Sequence, residues 1–174
     1  MNDQEFENNI GRIRRNDKDG LREIYEDYCP LIYSVVWEIL GSREDSEDVT
    51  SDFFIRLWDI ADTYRPGKGH RAWMITIARN LAIDFLRKRK RESLTGEIPD
   101  YLQAGEDSCE EQLCQKIGLA QALMTLKEEE RQIVNLKILG ELTFREIAVI
   151  LKKPQGTVAW CYRTAIRKLR EVQL

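Results

Sequence analysis

The sequence is short of punctuation. Four prolines and ten glycines are spread over 174 residues, and runs that alternate apolar with polar residues are almost absent. Sandwich and barrel folds, which need many short strands and turns, are thereby excluded. Histidine occurs once, at His70, and the four cysteines, Cys29, Cys109, Cys114 and Cys161, form no Cys-x-x-Cys pair. Such an inventory builds neither a usual structural zinc site nor a Ser-His-Asp or Cys-His centre. No metal, cofactor or catalytic residue is expected, and the thiols read as reduced ones. Gly67-Lys68-Gly69 lacks the upstream glycine spacing and the following Ser or Thr of a phosphate-binding loop. The longest apolar stretch, Leu31 to Leu40, is too short to span a bilayer and contains Glu38. The first residues, Met1-Asn2-Asp3-Gln4-Glu5, are acidic and offer no apolar core for a signal peptide. The expectation is a cytoplasmic protein without membrane insertion.

What is present is helical spacing. It predicts helices over about Asp3–Arg15, Asp19–Leu40, Arg43–Ala61 and His70–Arg89, with Pro30 kinking or splitting the second. Ser42 is placed as an N-cap ahead of a run of acids. Val49, Phe53, Phe54, Leu57 and Trp58 form the apolar set of the third helix. Ala72, Trp73, Ile75, Ile77, Ala78, Leu81, Ala82, Phe85 and Leu86 form that of the fourth. Periodicity fails from Glu92 to Asp107, where Gly96, Pro99 and Gly105 mark a flexible acidic linker. Ser108-Cys109-Glu110-Glu111 has the form of a capping box opening a helix to about Leu126. Further helices follow over about Lys127–Leu139, ended by Gly140, then Thr143–Leu151, and Pro154–Glu171 with proline at the first helical position. The fold class read from this is all-α, with two small helical domains joined by the linker.

A net charge of −3 hides a segregated map. Residues 41–62 hold seven acids and two bases, and residues 65–91 hold nine bases and one acid. Residues 92–115 hold seven acids and no base, whereas residues 141–171 hold seven bases and three acids. Evenly solvated faces mix signs. Segregation suggests two basic segments that meet phosphate and acidic ones that meet protein or avoid DNA.

Two segments carry the functional signal. The capped short helix Thr143–Leu151, the turn at Lys152-Lys153 and the basic helix Pro154–Glu171 make a helix-turn-helix, whose second helix enters the major groove. Val158, Tyr162, Ala165 and Leu169 are expected on its core side, and Gln155, Thr157, Ala159, Trp160, Arg163, Thr164 and Arg167 on its DNA side. The segment Tyr64–Arg91 pairs a loop rich in Arg, Lys and Gly with a basic helix carrying Trp73, Arg79, Asn80 and Asp84. Aromatic platforms beside amide and guanidinium groups suit unstacked bases of separated strands. Core packing is the plainer reading of Trp73, and a loop position that of His70.

The run Asp45-Ser46-Glu47-Asp48-Val49-Thr50-Ser51-Asp52-Phe53-Phe54-Ile55-Arg56-Leu57-Trp58, then Tyr64-Arg65-Pro66, then Arg71 to Arg87, resembles region 2 of the extracytoplasmic-function sigma factors of bacterial RNA polymerase. Leu139 to Ala148, Gly156-Thr157-Val158 and Lys168-Leu169-Arg170 resemble their region 4. The resemblance implies region 2 over residues 1–91, the linker over 92–107 and region 4 over 108–174, without a region 3 domain. It implies an alternative sigma factor, not an enzyme, that reads −35 and −10 promoter DNA and helps open the latter. The implied partners are core RNA polymerase, at the clamp and flap of its largest subunits, promoter DNA, and an anti-sigma factor. Asp45, Asp48, Asp52 and Arg56 are the implied clamp-binding residues. Arg65, Lys68, His70, Trp73, Arg79, Asn80, Asp84 and Arg87 are the implied −10 residues, and the seven outward residues of the last helix are the −35 residues.

The sequence departs from the family's pattern at Ser51, where Gln is usual, at Lys152 for a turn glycine, and at Pro154 for the frequent serine cap. Ala159, Cys161 and Thr164 stand where basic residues are common. These changes leave the fold intact and make the −35 preference individual. A helix-turn-helix regulator with a sensing domain, and a sigma-like protein that occupies the clamp without initiating, are the alternative readings.

Overall fold

The computed structural model describes residues 1–67, 69–93 and 125–172. Helices α1 (Asp3–Ile13), α2 (Lys18–Leu40), α3 (Arg43–Ile60), α4 (His70–Ser93), α5 (Glu128–Ile138), α6 (Phe144–Leu151) and α7 (Gln155–Val172) are the α-helices among the described residues, which hold no strand. The chain divides into two compact units, Met1–Ala104 and Gly105–Leu174. The expected helix from Ser108 lies outside the described residues except for its last two positions, Thr125 and Leu126, which form a turn and a bend. The linker expectation lies outside them too, apart from Glu92 and Ser93, which the fourth helix absorbs.

In the first unit α2 packs against α1, α3 and α4, and α3 against α4. Asn2 opens α1 with a capping box completed by Glu5, and Ser42 caps α3 by accepting the Asp45 N–H at 3.4 Å. Gly20 has a packing reason. A Cβ there would sit 2.7 Å from the Asn9 carbonyl oxygen of α1 and 3.0 Å from Arg12 Cβ, so only glycine admits this helix contact without a shift. Of the two outcomes expected at Pro30, a kink or a split, the split does not occur: α2 runs unbroken through it. Pro30 is exposed, so water can serve the carbonyl it leaves without a partner. Gly41 ends α2 in the left-handed region at φ 64°.

The core of this unit is aromatic at one end. Phe6 is fully buried, stacks on the His70 ring at 4.6 Å and meets Tyr64 edge-on at 5.2 Å. His70 is therefore no loop residue. It is the first residue of α4 and is buried. Its Nδ1 pairs with the Asp3 carboxylate, and its Nε2 lies 2.5 Å from the Tyr28 hydroxyl. Burial pushes its pKa below the ordinary histidine value, with Asp3 pulling the other way. Of the expected α3 set, Val49, Phe53, Phe54 and Leu57 are buried, joined by Ser46 and Thr50. Met74, absent from the expected α4 set, is fully buried, whereas Leu86 is exposed.

In the second unit α5 packs on α7 and α6, and α6 on α7. Leu126, Val134 and Ala165 form one buried cluster against Tyr162 and Leu169. Glu130 accepts the Lys127 backbone N–H at 3.0 Å, opening α5, and its carboxylate takes Lys168 Nζ at 2.7 Å. Burial raises the Glu130 pKa, but Lys168 and the Lys127 amide outweigh it and hold the carboxyl below its ordinary value. The left-handed residue after α5 is Glu141, at φ 53°, not Gly140. Thr143 and Glu146 complete the expected capping box of α6. Pro154 stands one place before its expected position: its carbonyl accepts the Val158 N–H at 3.2 Å, making it the cap of α7. Cys161, absent from the expected core side of α7, is buried beside Tyr162, which packs against the core cluster as expected.

Candidate nucleic-acid interface

The outward face of α3 is a row. Helical spacing sets Asp48, Asp52, Ile55 and Asp59 along one stripe, and all four are exposed, as is Arg56 beside them. Asp45 differs: its carboxylate is largely covered and pairs with Arg89 of α4. The pair ties the start of α3 to the basic end of α4. Apolar surface interrupts the acidic row. Ile55 is 65% exposed, and it forms a cleft with Lys18, Leu21, Trp58 and Asp59. Tyr25 of α2, also exposed, lies edge-on to Phe54 at 4.8 Å. Sequence reasoning found the acids and missed Leu21, Tyr25 and Ile55. An isoleucine placed among Asp48, Asp52 and Asp59 on one helical stripe was the available signal.

Helix α4 carries the second face. Trp73, Asn80, Asp84 and Arg87 recur at helical spacing on one side. Asn80, Asp84 and Arg87 are exposed, and Arg87 Nη1 donates to Asp84 at 3.4 Å. Trp73 is half-buried, tilted on Tyr64 at 5.1 Å and edge-on to Phe6 at 6.4 Å. One edge of the indole thus belongs to the aromatic core, and the rest reaches the surface. Arg79 is half-buried on the flank of this face, and Arg65 is exposed in the preceding loop. His70, grouped with these residues from the sequence, is withdrawn from the surface by the Phe6, Tyr28 and Asp3 contacts. Lys68 lies outside the described residues.

The third face belongs to the second unit. Lys152 caps α6 in the left-handed region at φ 55°, where glycine is the usual occupant. Lys153 pairs with Glu129 of α5. Helix α7 then runs with Val158, Cys161 and Ala165 buried. Burial also pushes the Cys161 thiol pKa up. On the other side Gln155, Gly156, Thr157, Trp160, Arg163 and Arg167 are exposed, with Ala159 and Thr164 half-buried at the margins. The seven residues expected to face outward therefore share the free side of one helix. No helix among the described residues is long and apolar enough to cross a membrane.

The family described as Sigma-70 region 2 matches residues 24–92, and that described as Sigma-70, region 4 matches residues 122–171. The ECF RNA polymerase sigma factor SigW of Bacillus subtilis is 29% identical over 174 residues, covering 93% of this chain and 91% of SigW. The ECF RNA polymerase sigma factor BldN of Streptomyces coelicolor is 28% identical, covering 92% of this chain, which spans 62% of BldN. Among solved structures, CnrH in complex with the cytosolic domain of CnrY superposes with a TM-score of 0.64 at 18% identity, covering 97% of each chain. The sigma factor RpoE of Bartonella quintana, in complex with the anti-sigma factor NepR, gives a TM-score of 0.64 at 23% identity over 90% of this chain and 97% of RpoE.

Proposed function

The chain belongs to the sigma-70 family, within its extracytoplasmic-function RNA polymerase sigma factors, and from that premise we propose how its surfaces divide the work. It is an alternative sigma factor that binds core RNA polymerase and directs promoter-specific initiation. The exposed acids Asp48 and Asp52, with Arg56, dock on the polymerase clamp. The cleft around Ile55, Leu21 and Trp58 adds the apolar part of that contact. Asp45 acts from behind, holding α3 to α4 through Arg89. The α4 face with Trp73, Asn80, Asp84 and Arg87, flanked by Arg79, Arg65 and Lys68, receives the opened −10 strand. A half-buried indole is a rigid stacking platform because its other edge is fixed by Tyr64 and Phe6.

The outward side of α7, from Gln155 to Arg167, reads the −35 element in the major groove. Exposed Ile138, Leu139 and Val149 of α5 and α6 suit the flap. Residues 92–107 link region 2, over 1–91, to region 4, over 108–174. The chain works in the cytoplasm, supplies no catalytic group of its own and is held by an anti-sigma factor, as RpoE of Bartonella quintana is bound by NepR.

The observation that carries this reading is the order of two matched regions in one chain, each lying within a compact unit that presents a charged helix face. Run-off transcription with purified core polymerase tests it. Promoter-specific transcripts that depend on the added chain are the expected result. Binding to DNA without binding to core would favour an ordinary helix-turn-helix regulator. Binding to core without transcripts would favour an antagonist.

A further inference from the structure

The first two turns of α7 are unusual for a helix that faces an anionic groove. From Gln155 to Cys161 no side chain carries a charge. The largest group on the outward side is Trp160, 63% exposed. Gly156 lies four residues earlier on the same face, one turn nearer the helix start. The protein gives Gly156 no packing role: a Cβ built there meets nothing within 4 Å, and its φ is not positive. Glycine brings a helix no propensity advantage over alanine, and here its bare backbone leaves open space at the surface. The indole and the bare backbone together form a step, with an apolar wall at Trp160 and an open floor at Gly156. Cations lie beside the step and not in it. Arg163 follows by three residues, its Nε donating to the Ala159 carbonyl at 3.2 Å, and Arg167 lies a further turn along.

In the major groove only thymine presents a methyl group, and apolar side chains recognise it by contact. We propose that Trp160 sets the −35 preference of this chain by packing its indole on the C5 methyl of a thymine that enters over Gly156. Arg163 and Arg167, both further along the helix, hold phosphate. The inference rests on the assignment of α7 to the −35 element and adds the base that it reads.

The test uses holoenzyme formed from the full chain and core polymerase. A −35 element is first selected from a randomised library, and each selected thymine is then replaced by deoxyuridine, which lacks only the methyl. One replacement is expected to weaken binding about fourfold, the factor for removing one methyl-sized apolar contact. In Trp160→Ala holoenzyme the same replacement has no effect, and in Trp160→Phe it keeps part of its effect. Gly156→Ala weakens promoter binding while the free protein melts no lower than the parent. The proposal is overturned by a selected element without thymine, by a flat uridine scan, by a uridine penalty that survives Trp160→Ala, or by guanine selectivity that disappears with Arg163→Ala. It is also overturned if Trp160→Ala weakens core binding and leaves base preference unchanged. A chain that forms no initiating holoenzyme overturns both this inference and the functional reading, and does so before any base is changed.

Discussion

Two glycines within helices separate the two units of this molecule. Gly20 in α2 is buried, and a methyl group there would run into the backbone of α1. Gly156 in α7 is exposed, and a methyl group there would touch nothing. The first glycine serves the protein's own packing, and the second leaves room for a partner. The same contrast holds for aromatic groups. Phe6, Tyr28, Tyr64, His70 and Trp73 close on one another inside the first unit, whereas Trp160 stands clear of the second. The first unit closes its aromatic groups into a sealed core. The second is a small frame, fixed by caps and by the Glu130–Lys168 pair, whose outward α7 side stays bare.

The largest effect tests whether the acidic stripe of α3 is also a binding feature rather than a solvated face. Asp48→Lys combined with Asp52→Lys reverses two exposed charges on one stripe. Against a basic partner surface the juxtaposed like charges cost several kcal/mol, so retention of core polymerase in a pull-down should collapse while the circular dichroism of the free protein is unchanged. Undiminished retention would move the docking surface away from this stripe.

The glycine comparison comes next and predicts opposite signs for one chemical change. Gly20→Ala should lower unfolding stability by about 1–3 kcal/mol, because the added methyl group must push backbone apart. Gly156→Ala should raise stability by up to about 1 kcal/mol, the helix-propensity difference between glycine and alanine. Urea titrations of both variants measure this. Equal signs would mean that the two sites are packed alike and would remove the contrast.

What the sequence made legible follows the same division. The helix-turn-helix could be read because its signals are local: the Thr143–Glu146 box, the turn at Lys152 and the apolar spacing through Val158 and Ala165 each depend on neighbours within a turn or two. The acids of α3 could be read because charge is visible residue by residue. His70 could not. Its fate depends on Asp3, 67 residues away, and on Tyr28, 42 residues away, and a lone histidine after a glycine-rich loop looks exposed. The close approach of α1 to α2 at Gly20, the apolar cleft between α2 and α3 and the Asp45–Arg89 tie are likewise products of tertiary packing. Pro30 left a kink and a split open, and the structure removes only the split, because on an exposed turn water can serve the carbonyl that proline leaves without a partner.

Trp73 and Asn80 test how far the core of the first unit reaches into its −10 face. If both groups hold a separated strand, each alanine substitution should slow open-complex formation by about 1–3 kcal/mol, the range for a lost base contact of the stacking kind. On a template with a mismatched −10 bubble the Asn80→Ala defect should largely vanish. Trp73→Ala should recover only in part, because it also strips contacts from Tyr64 and Phe6 and so lowers the melting temperature of the free protein. Full recovery of both variants would place the indole wholly on the DNA side. Recovery of neither would assign both residues to the fold.

The smallest effect concerns His70, where the sealed core meets solvent pH. Burial lowers its pKa in the folded protein, so the fold prefers the neutral ring. In that form Nδ1–H donates to Asp3, and Nε2 lies beside the Tyr28 hydroxyl, whose proton the Met1 carbonyl oxygen takes at 3.1 Å. The unfolded chain, with an ordinary value near 6.5, takes up the proton first as pH falls. The contribution to stability is therefore complete above about pH 6.5, declines as pH drops through the lower folded value, and levels off below it, with a slope of at most about 1.4 kcal/mol per pH unit for one proton. Urea midpoints measured between pH 7.5 and 5 should show this decline. Asp3→Asn should steepen it, because the exposed carboxylate is the group that pulls the His70 pKa upward. His70→Gln should remove it, at some cost in stability at every pH. A decline of the same size in His70→Gln would assign the acid sensitivity to other groups, and a wild-type profile that rises on acidification would mean that Asp3, not burial, governs this histidine.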